Sequence, residues 1–318
     1  MARRTGSLKP ILGGLAVVAA GCFAWASLVE RRMFTLRRVE IPVLPAGTDP
    51  IRILHLSDLH MAPWQRDKQA WVRSLAGEKP DIVVDTGDNL GHADGIRGIE
   101  LAFAEFGGVS GVYVNGSNDY FGPVSKNWLR YFSGPSSQRP HGNRAKKLDT
   151  PRLERFFTDA LGWHSLNNRV DDVTVRGTRI QFFGVDDPHI ERDRLDLLTG
   201  LLDGVEDEES FEQGRPEPAL RIGVAHAPYQ RVLNSFVTHG ADVILAGHTH
   251  GGQVCVPGVG ALVTNCDIPR RQVKGLSLWR HAFRSAYLNV SAGLGTSIYA
   301  PVRFACRPEA TLVTLVAR

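Results

Sequence analysis

Five short stretches of this sequence carry the residues best suited to holding cations. They are Asp58-Leu59-His60, Gly87-Asp88, Gly116-Ser117-Asn118-Asp119, Ala225-His226-Ala227-Pro228 and Gly247-His248-Thr249-His250. Carboxylate and amide oxygens mixed with imidazole nitrogens suit divalent Mn, Fe or Zn ions, and no cysteine is needed. Singly, each stretch has an ordinary explanation: an aspartate at a strand end turns the chain or caps a helix, and a lone histidine sits satisfied in a core. The whole set, ordered along the chain and each member placed after an apolar run, makes coincidence a poor account. The alternation in Asp58-Leu59-His60 and His248-Thr249-His250 would let both polar residues of a locally extended segment point to one side. Gly87, Gly116 and Gly247 each precede one of these residues, where a chain without Cβ can approach an ion or anion closely.

The elements that must position these residues follow from periodicity. Ile51–Leu56 reads as a strand, 66–76 as a helix, Asp81–Asp85 as a strand, 96–106 as a helix and Gly111–Val114 as a third strand. That βαβαβ opening indicates an α/β fold, and its polar motifs fall at the carboxyl ends of the strands, where open α/β sheets bind ligands. The second half is richer in strands. Val170–Val175 and Thr178–Phe183 read as a hairpin turned at Arg176-Gly177, followed by strands at Leu220–Ala225, Asp242–Leu245, Tyr287–Val290 and Ala310–Val316. A second, mixed sheet packed on the first is expected. Residues 122–150 hold six Lys/Arg against Asp149 and read as an exposed basic loop able to reach an anion or a lipid surface. Residues 203–217 hold seven acids against Arg215 and read as solvated surface.

The series Asp58-x-His60, Gly87-Asp88-Asn89, Gly116-Ser117-Asn118-Asp119, His226 and Gly247-His248-x-His250 resembles the calcineurin-like metallophosphoesterase family, in its small bacterial branch with an N-terminal anchor or export segment. The resemblance spans roughly residues 51 to 318. It implies an α/β fold in a four-layer αββα sandwich of two mixed sheets, with two divalent metal ions over the strand ends. It also implies that Asp58, His60 and His250 hold one ion, that Asn118, His226 and His248 hold the other, and that Asp88 bridges them. The family's third motif reads Gly-Asn-His-acid, whereas this chain has Gly116-Ser117-Asn118-Asp119. By strict position Ser117 replaces the asparagine ligand and Asn118 the histidine; a one-residue adjustment instead makes Asn118 the ligand. Asn118 is preferred, because an amide oxygen coordinates better than a neutral hydroxyl. The family's histidine serves the leaving-group step, for which Asp119, His92, His189 or a cation from the basic loop are the candidates. The expected catalytic set is Asp88, Asn118 and Asp119.

At the N-terminus, Pro10 to Val29 contains no charged residue, and Ile11–Val29 is long enough to cross a bilayer. Arg3, Arg4 and Lys9 before it and Ala24-Trp25-Ala26 within it also resemble a cleavable signal peptide. Apolar character continuing to Val29, with Arg31 and Arg32 just after the cut, favours an uncleaved single-pass anchor in the cell membrane. The flanking charges nearly balance and set no side. The expected division is an anchor over 1–32, a linker over 33–50 punctuated by Pro42, Pro45 and Gly47, and a catalytic domain over 51–318. A net charge of +4 spread in local patches implies no nucleic-acid partner. The cysteines at 22, 255, 266 and 306 show no CxxC pair, and buried free thiols are expected over a Cys255–Cys266 bridge.

The expected activity is hydrolysis of a phosphomonoester or phosphodiester. Its location allows a lipid-linked phosphate or pyrophosphate as substrate. The alternatives are a metal- and anion-binding scaffold that has lost turnover with the altered third motif, and a protein phosphatase.

Overall fold

The protein is described by a computed structural model over residues 9–124, 145–211 and 218–318. Fourteen strands among these residues fall into two six-stranded sheets and one two-stranded ribbon. The first sheet takes β1 (Thr35–Leu44), β14 (Glu309–Ala317), β2 (Ile51–Leu56), β3 (Ile82–Asp85), β4 (Ser110–Tyr113) and β5 (His164–Ser165), in that order. The second takes β12 (Gly275–His281), β13 (Arg284–Val290), β9 (Val243–Ala246), β8 (Leu220–Ala225), β7 (Thr178–Gly184) and β6 (Arg169–Val175). β10 (Cys255–Val256) and β11 (Gly260–Ala261) form the ribbon.

Side-chain alternation assigns the faces. In β2, Ile51 and Ile53 point into a core shared with Ile180, Phe182, Ile222, Val224 and Leu245 of the second sheet, while Leu54 and Leu56 point outward. The outward face packs against α2 (Arg66–Ser74), α3 (Gly95–Ala102) and α4 (Thr150–Arg155) through Val72, Ile99 and Leu153. On the far side, α5 (Leu195–Phe211) and α6 (Gln230–Thr238) cover the second sheet with Leu198, Leu202, Leu233 and Phe236. The result is the expected αββα sandwich. The hairpin turns at Arg176-Gly177, both with positive φ.

The segment expected as a linker is corrected. Residues 35–44 form β1, an edge strand paired in parallel with β14 from Thr35↔Glu309 to Leu44↔Ala317, with Ile41, Val43 and Leu44 buried in the inter-sheet core. Pro42 is tolerated because the strand lies at the sheet edge and needs no donor on its outer side; the register shifts between Pro42 and Leu44. Upstream, α1 (Lys9–Ala24) continues through a π-turn at Trp25–Val29 and a 3₁₀ turn at Glu30–Arg32. The apolar stretch Leu12–Arg32 is 21 residues long and largely exposed, with only Ala26 and Glu30 in it buried. Cys22 is exposed; Cys255, Cys266 and Cys306 are buried free thiols, with Cys255 and Cys306 both against the Gly251 carbonyl. The basic loop lies mainly at 125–144, outside the described residues, as does the 212–217 part of the acidic stretch.

His55, buried in β2, is held neutral. Asn289 Nδ2 donates to its Nδ1 at 2.9 Å, so Nε2 carries the proton and donates to Thr86 Oγ1 at 3.1 Å. Burial lowers its pKa to about 3. The unfolded chain therefore takes up this proton first as pH falls, so the contribution is whole above about 6.5 and is lost at ~1.4 kcal/mol per pH unit toward 3. The stability gap between the wild type and His55→Gln should thus narrow by ~1 kcal/mol between pH 7.5 and 5.5, measured by denaturant unfolding. A gap independent of pH would refute the buried neutral imidazole.

Candidate metal centre

The loops after β2, β3, β4, β8 and β9 converge at one edge of the sandwich. They are laced together by backbone: Asp58 N–H donates to Gly87 O (2.8 Å), His60 N–H to Asp88 O (2.9 Å) and Gly247 N–H to His226 O (2.8 Å). The ligand loops are not extended, contrary to the alternation argument. Asp58, His60, Asp88, His248 and His250 all have left-handed backbone, with φ of 50°, 40°, 57°, 68° and 50°. Each such residue costs ~1–3 kcal/mol, which the surrounding hydrogen bonds must hold in place. Close approach explains two of the glycines: a Cβ on Gly116 would collide with Asp88 Oδ1, and one on Gly247 with Ser57 Oγ.

Two donor clusters result. Asp58, His60 and His250 bring ligand atoms within 4.8 Å of one another, as do Asp58, Asp88 and His226. In the first, His60 Nε2 and His250 Nε2 face each other at 3.2 Å, and His250 Nε2 is 3.6 Å from Asp58 Oδ1. Beside the second, His248 Nδ1 faces His226 Nε2 at 3.2 Å. Asp88 spans the two, with Oδ1 3.5 Å from His226 Nε2 and Oδ2 3.5 Å from His60 Nε2. Asn118 lies on the same carboxylate: its backbone N–H donates to Oδ1 and its Nδ2 to Oδ2, both at 2.7 Å. A half-turn of that amide would present its oxygen instead. Ser117 Oγ stands 3.5 Å from Asn118 Nδ2, so both residues of the altered motif remain close to the centre.

The residues fit cations. Asp58 Oδ2 accepts from Ser57 Oγ (2.6 Å) and His248 N–H (2.9 Å), while its buried Oδ1 has no donor. Burial raises Asp58 to about 6. Burial also pushes Asp88 upward, but His226, His60 and the Asn118 amide outweigh it and hold it well below the usual range. Burial likewise pushes His226 downward, and Asp88, Asp187 and Asp58 outweigh it, raising the imidazole to about 9. A proton there stands where three carboxylates call for positive charge. His248 and His250 are held well below their ordinary value, chiefly by burial, and His60 falls to about 4 for the same reason. Neutral imidazoles are the form that coordinates.

The outer partners of two of the histidines are backbone carbonyls. His226 Nδ1 donates to Thr86 O at 2.7 Å and His248 Nε2 faces Asn265 O at 3.1 Å, which turns the other nitrogen of each ring toward the cluster. Asp85 and Asp242 do not orient histidines. Asp85 Oδ1 accepts from Gly87 N–H and Asn89 Nδ2, and Asp242, at the opposite end of its strand, binds Arg221 N–H and Arg318. Of the histidines considered for the leaving group, His189 packs on His248 at 4.2 Å between centroids, whereas His92 packs on Trp64.

Asp119 is displaced from the expected acid role. Its Oδ1 accepts from the N–H groups of Asn89 (2.7 Å) and Leu90 (3.1 Å), and its Oδ2 from those of Asp88 (2.9 Å) and Gly116 (3.0 Å). Burial and Asp88 push its carboxyl group up, yet all four acceptor positions are filled by donors and a proton has none to occupy, so the carboxylate is the form that fits. Asp119 brackets the loops after β3 and β4. Asp119→Asn would set an NH2 against two N–H donors and should cost ~2–4 kcal/mol of stability, seen as a fall in Tm. An unchanged Tm with a lower kcat would instead restore the acid role.

Arg303, absent from every sequence motif, is fully buried beside the centre. Its Nη2 donates to the carbonyls of Ala292 (2.7 Å), Gly293 (3.0 Å) and Gly295 (2.7 Å), and lies 3.3 Å from His250 Nδ1. The 293–296 loop in turn donates from Leu294 N–H to Ser57 O and from Gly295 N–H to Asp58 O.

Residues 51–252 match the family model described as calcineurin-like phosphoesterase. An uncharacterised metallophosphoesterase of Bacillus subtilis, YkuE, is 24% identical over 97% of this chain and 96% of its own length. The phosphodiesterase YaeI of Escherichia coli is 24% identical over 94% of this chain and 95% of its own. A Bos taurus transmembrane protein with a metallophosphoesterase domain is 28% identical over 88% of this chain and 56% of its own length.

Proposed function

Because the chain belongs to the calcineurin-like phosphoesterase family and is a metal-dependent hydrolase, we propose that it cleaves phosphodiesters at a two-cation centre. Asp58, His60 and His250 would hold one ion, and His226, His248 and Asn118 the other, with Asp88 shared. The observation that carries this reading is Asp88, whose two oxygens face one histidine of each cluster at 3.5 Å. A carboxylate is needed there because one group must bind both ions and offset their repulsion. The chemistry such ions supply is Lewis acidity toward the phosphoryl group and a water acidified enough to attack at neutral pH. The relative named a phosphodiesterase supports the diester over the monoester.

The chain's own residues do the rest. Thr86 O and Asn265 O lock His226 and His248 with one nitrogen turned inward, and Ser57 with His248 N–H fixes which Asp58 oxygen stays free. The family's third-motif histidine is not replaced by a free acid: Asp119 is bound by four backbone N–H groups, and the neighbouring ligand is Asn118. Its amide donates hydrogen bonds but cannot release a proton at neutral pH, so the leaving oxygen departs without protonation by this residue. Esters with acidic leaving groups should therefore react much faster than alkyl esters.

The exposed apolar helix over Leu12–Arg32 supports a single-pass membrane anchor, and the domain would then meet lipid-linked esters at the bilayer. The test is hydrolysis of bis(p-nitrophenyl) phosphate and p-nitrophenyl phosphate by the full chain in detergent, with Mn2+ added or chelated. Metal-dependent turnover favouring the diester is expected. Folded, metal-loaded protein inert toward both esters would overturn the hydrolase reading in favour of an anion-binding scaffold.

A further inference from the structure

A cavity of about 460 Å³ lies where the N-terminal helix meets the domain, and none of its lining residues belongs to the metal centre. Trp25, Glu30, Arg37, Lys274, Arg307 and Glu309 face it. The two acids are already engaged. Glu309 Oε2 accepts from Arg37 Nη2 at 2.7 Å, and Glu30 accepts from Trp25 Nε1 (3.0 Å) and the backbone N–H of Cys306 (2.7 Å). Arg37 Nε is buried with no partner. Among the described residues neither Lys274 nor Arg307 meets a carboxylate; Lys274 Nζ has only Cys306 Sγ, at 3.8 Å. The cavity lining therefore sets the cations Arg37, Lys274 and Arg307 against the carboxylates Glu30 and Glu309, a net positive balance in which Lys274 and Arg307 have no carboxylate partner among the described residues.

Its position selects the ligand. Trp25 is 46% exposed in the last turns of the helix, and Leu15, Val18, Phe23, Leu28 and Val29 stand exposed along the same helix. Tryptophan gathers at the headgroup level of a bilayer, where basic side chains attract anionic lipid. A phosphate group at Lys274 and Arg307 would thus leave its acyl chains against the exposed apolar helix.

We propose that this cavity binds the phosphate-bearing headgroup of an anionic phospholipid in the leaflet that holds the end of the helix. The proposal rests on the membrane-anchor reading and is independent of the hydrolase reading. It joins the lipid to both ends of the domain: Glu30 also holds the Cys306 backbone, and Arg303 N–H donates to Ala26 O at 3.1 Å.

The test uses the full chain in neutral detergent micelles, titrated with dihexanoyl phosphatidylglycerol, dihexanoyl phosphatidylcholine or inorganic phosphate. Binding is read from tryptophan fluorescence, with Trp25→Phe as the control that silences the signal. Saturable phosphatidylglycerol binding is expected, weakened ~10–30-fold in Lys274→Gln/Arg307→Gln and several-fold in Arg307→Gln, whose parent side chain is exposed. Phosphatidylglycerol and phosphatidylcholine binding equally, or no weakening in either variant, would overturn it. Saturation by inorganic phosphate without phosphatidylglycerol uptake would overturn the lipid assignment. Carbonate extraction separates the premise: wild type and variants should all stay with membranes, and release of the wild type would remove the anchor and the proposal with it.

Discussion

Asp88→Ala is expected to lower kcat/KM for a phosphodiester by at least ~10³-fold, equivalent to ~4 kcal/mol of transition-state stabilisation, and to reduce bound metal. The reason lies in position more than in charge alone. Asp88 sets one oxygen against a histidine of each cluster, Oδ2 toward His60 and Oδ1 toward His226, and it also receives both Asn118 donors. Its removal leaves His226 with less opposing charge and frees Asn118. Metal content per chain, measured by elemental analysis, should fall along with turnover, while Asp88→Asn, which keeps one oxygen, should retain more metal than Asp88→Ala. Full metal content and full activity in Asp88→Ala would refute the shared-ligand role.

Arg303→Met should cost ~3 kcal/mol or more of stability and weaken metal retention ~10–100-fold. Methionine fills much of the space of the buried stem but donates nothing. The carbonyls of Ala292, Gly293 and Gly295 would then be left buried without their donor. Because the Gly295 N–H holds Asp58 O, and Arg303 also lies against His250, loosening this guanidinium loosens two residues of one cluster. Arg303→Lys should recover only part of the loss, since a single ammonium cannot span carbonyls on both the 292–295 loop and the His250 turn. Chelator competition gives the metal affinity and thermal unfolding the stability; wild-type values for both in Arg303→Met would remove Arg303 from any positioning role.

The sites of correction share a cause. β1 was hidden because Pro42, Pro45 and Gly47 look like linker punctuation, and only its partner β14, some 270 positions away, makes a proline-containing edge strand stable. Asp119 looks like an acid beside a metal motif until four backbone N–H groups from two loops are found on its oxygens. The histidines are oriented by carbonyls of Thr86 and Asn265, and every residue has a carbonyl, so no residue type announces that role.

By itself the sequence determined the order of the ligand motifs, their placement after apolar runs, the α/β class with a second, strand-rich half and the apolar N-terminal helix, because these are local patterns of period and residue type; the four layers came with the family resemblance. Tertiary structure alone decided which motifs face each other and that the ligand backbones are left-handed. It alone also turned Asp119 into a bracket, buried Arg303 at the site and opened a cationic cavity beside the helix. Those outcomes depend on backbone groups and side chains brought together across hundreds of residues, and the free energy of such contacts has no local sequence signature.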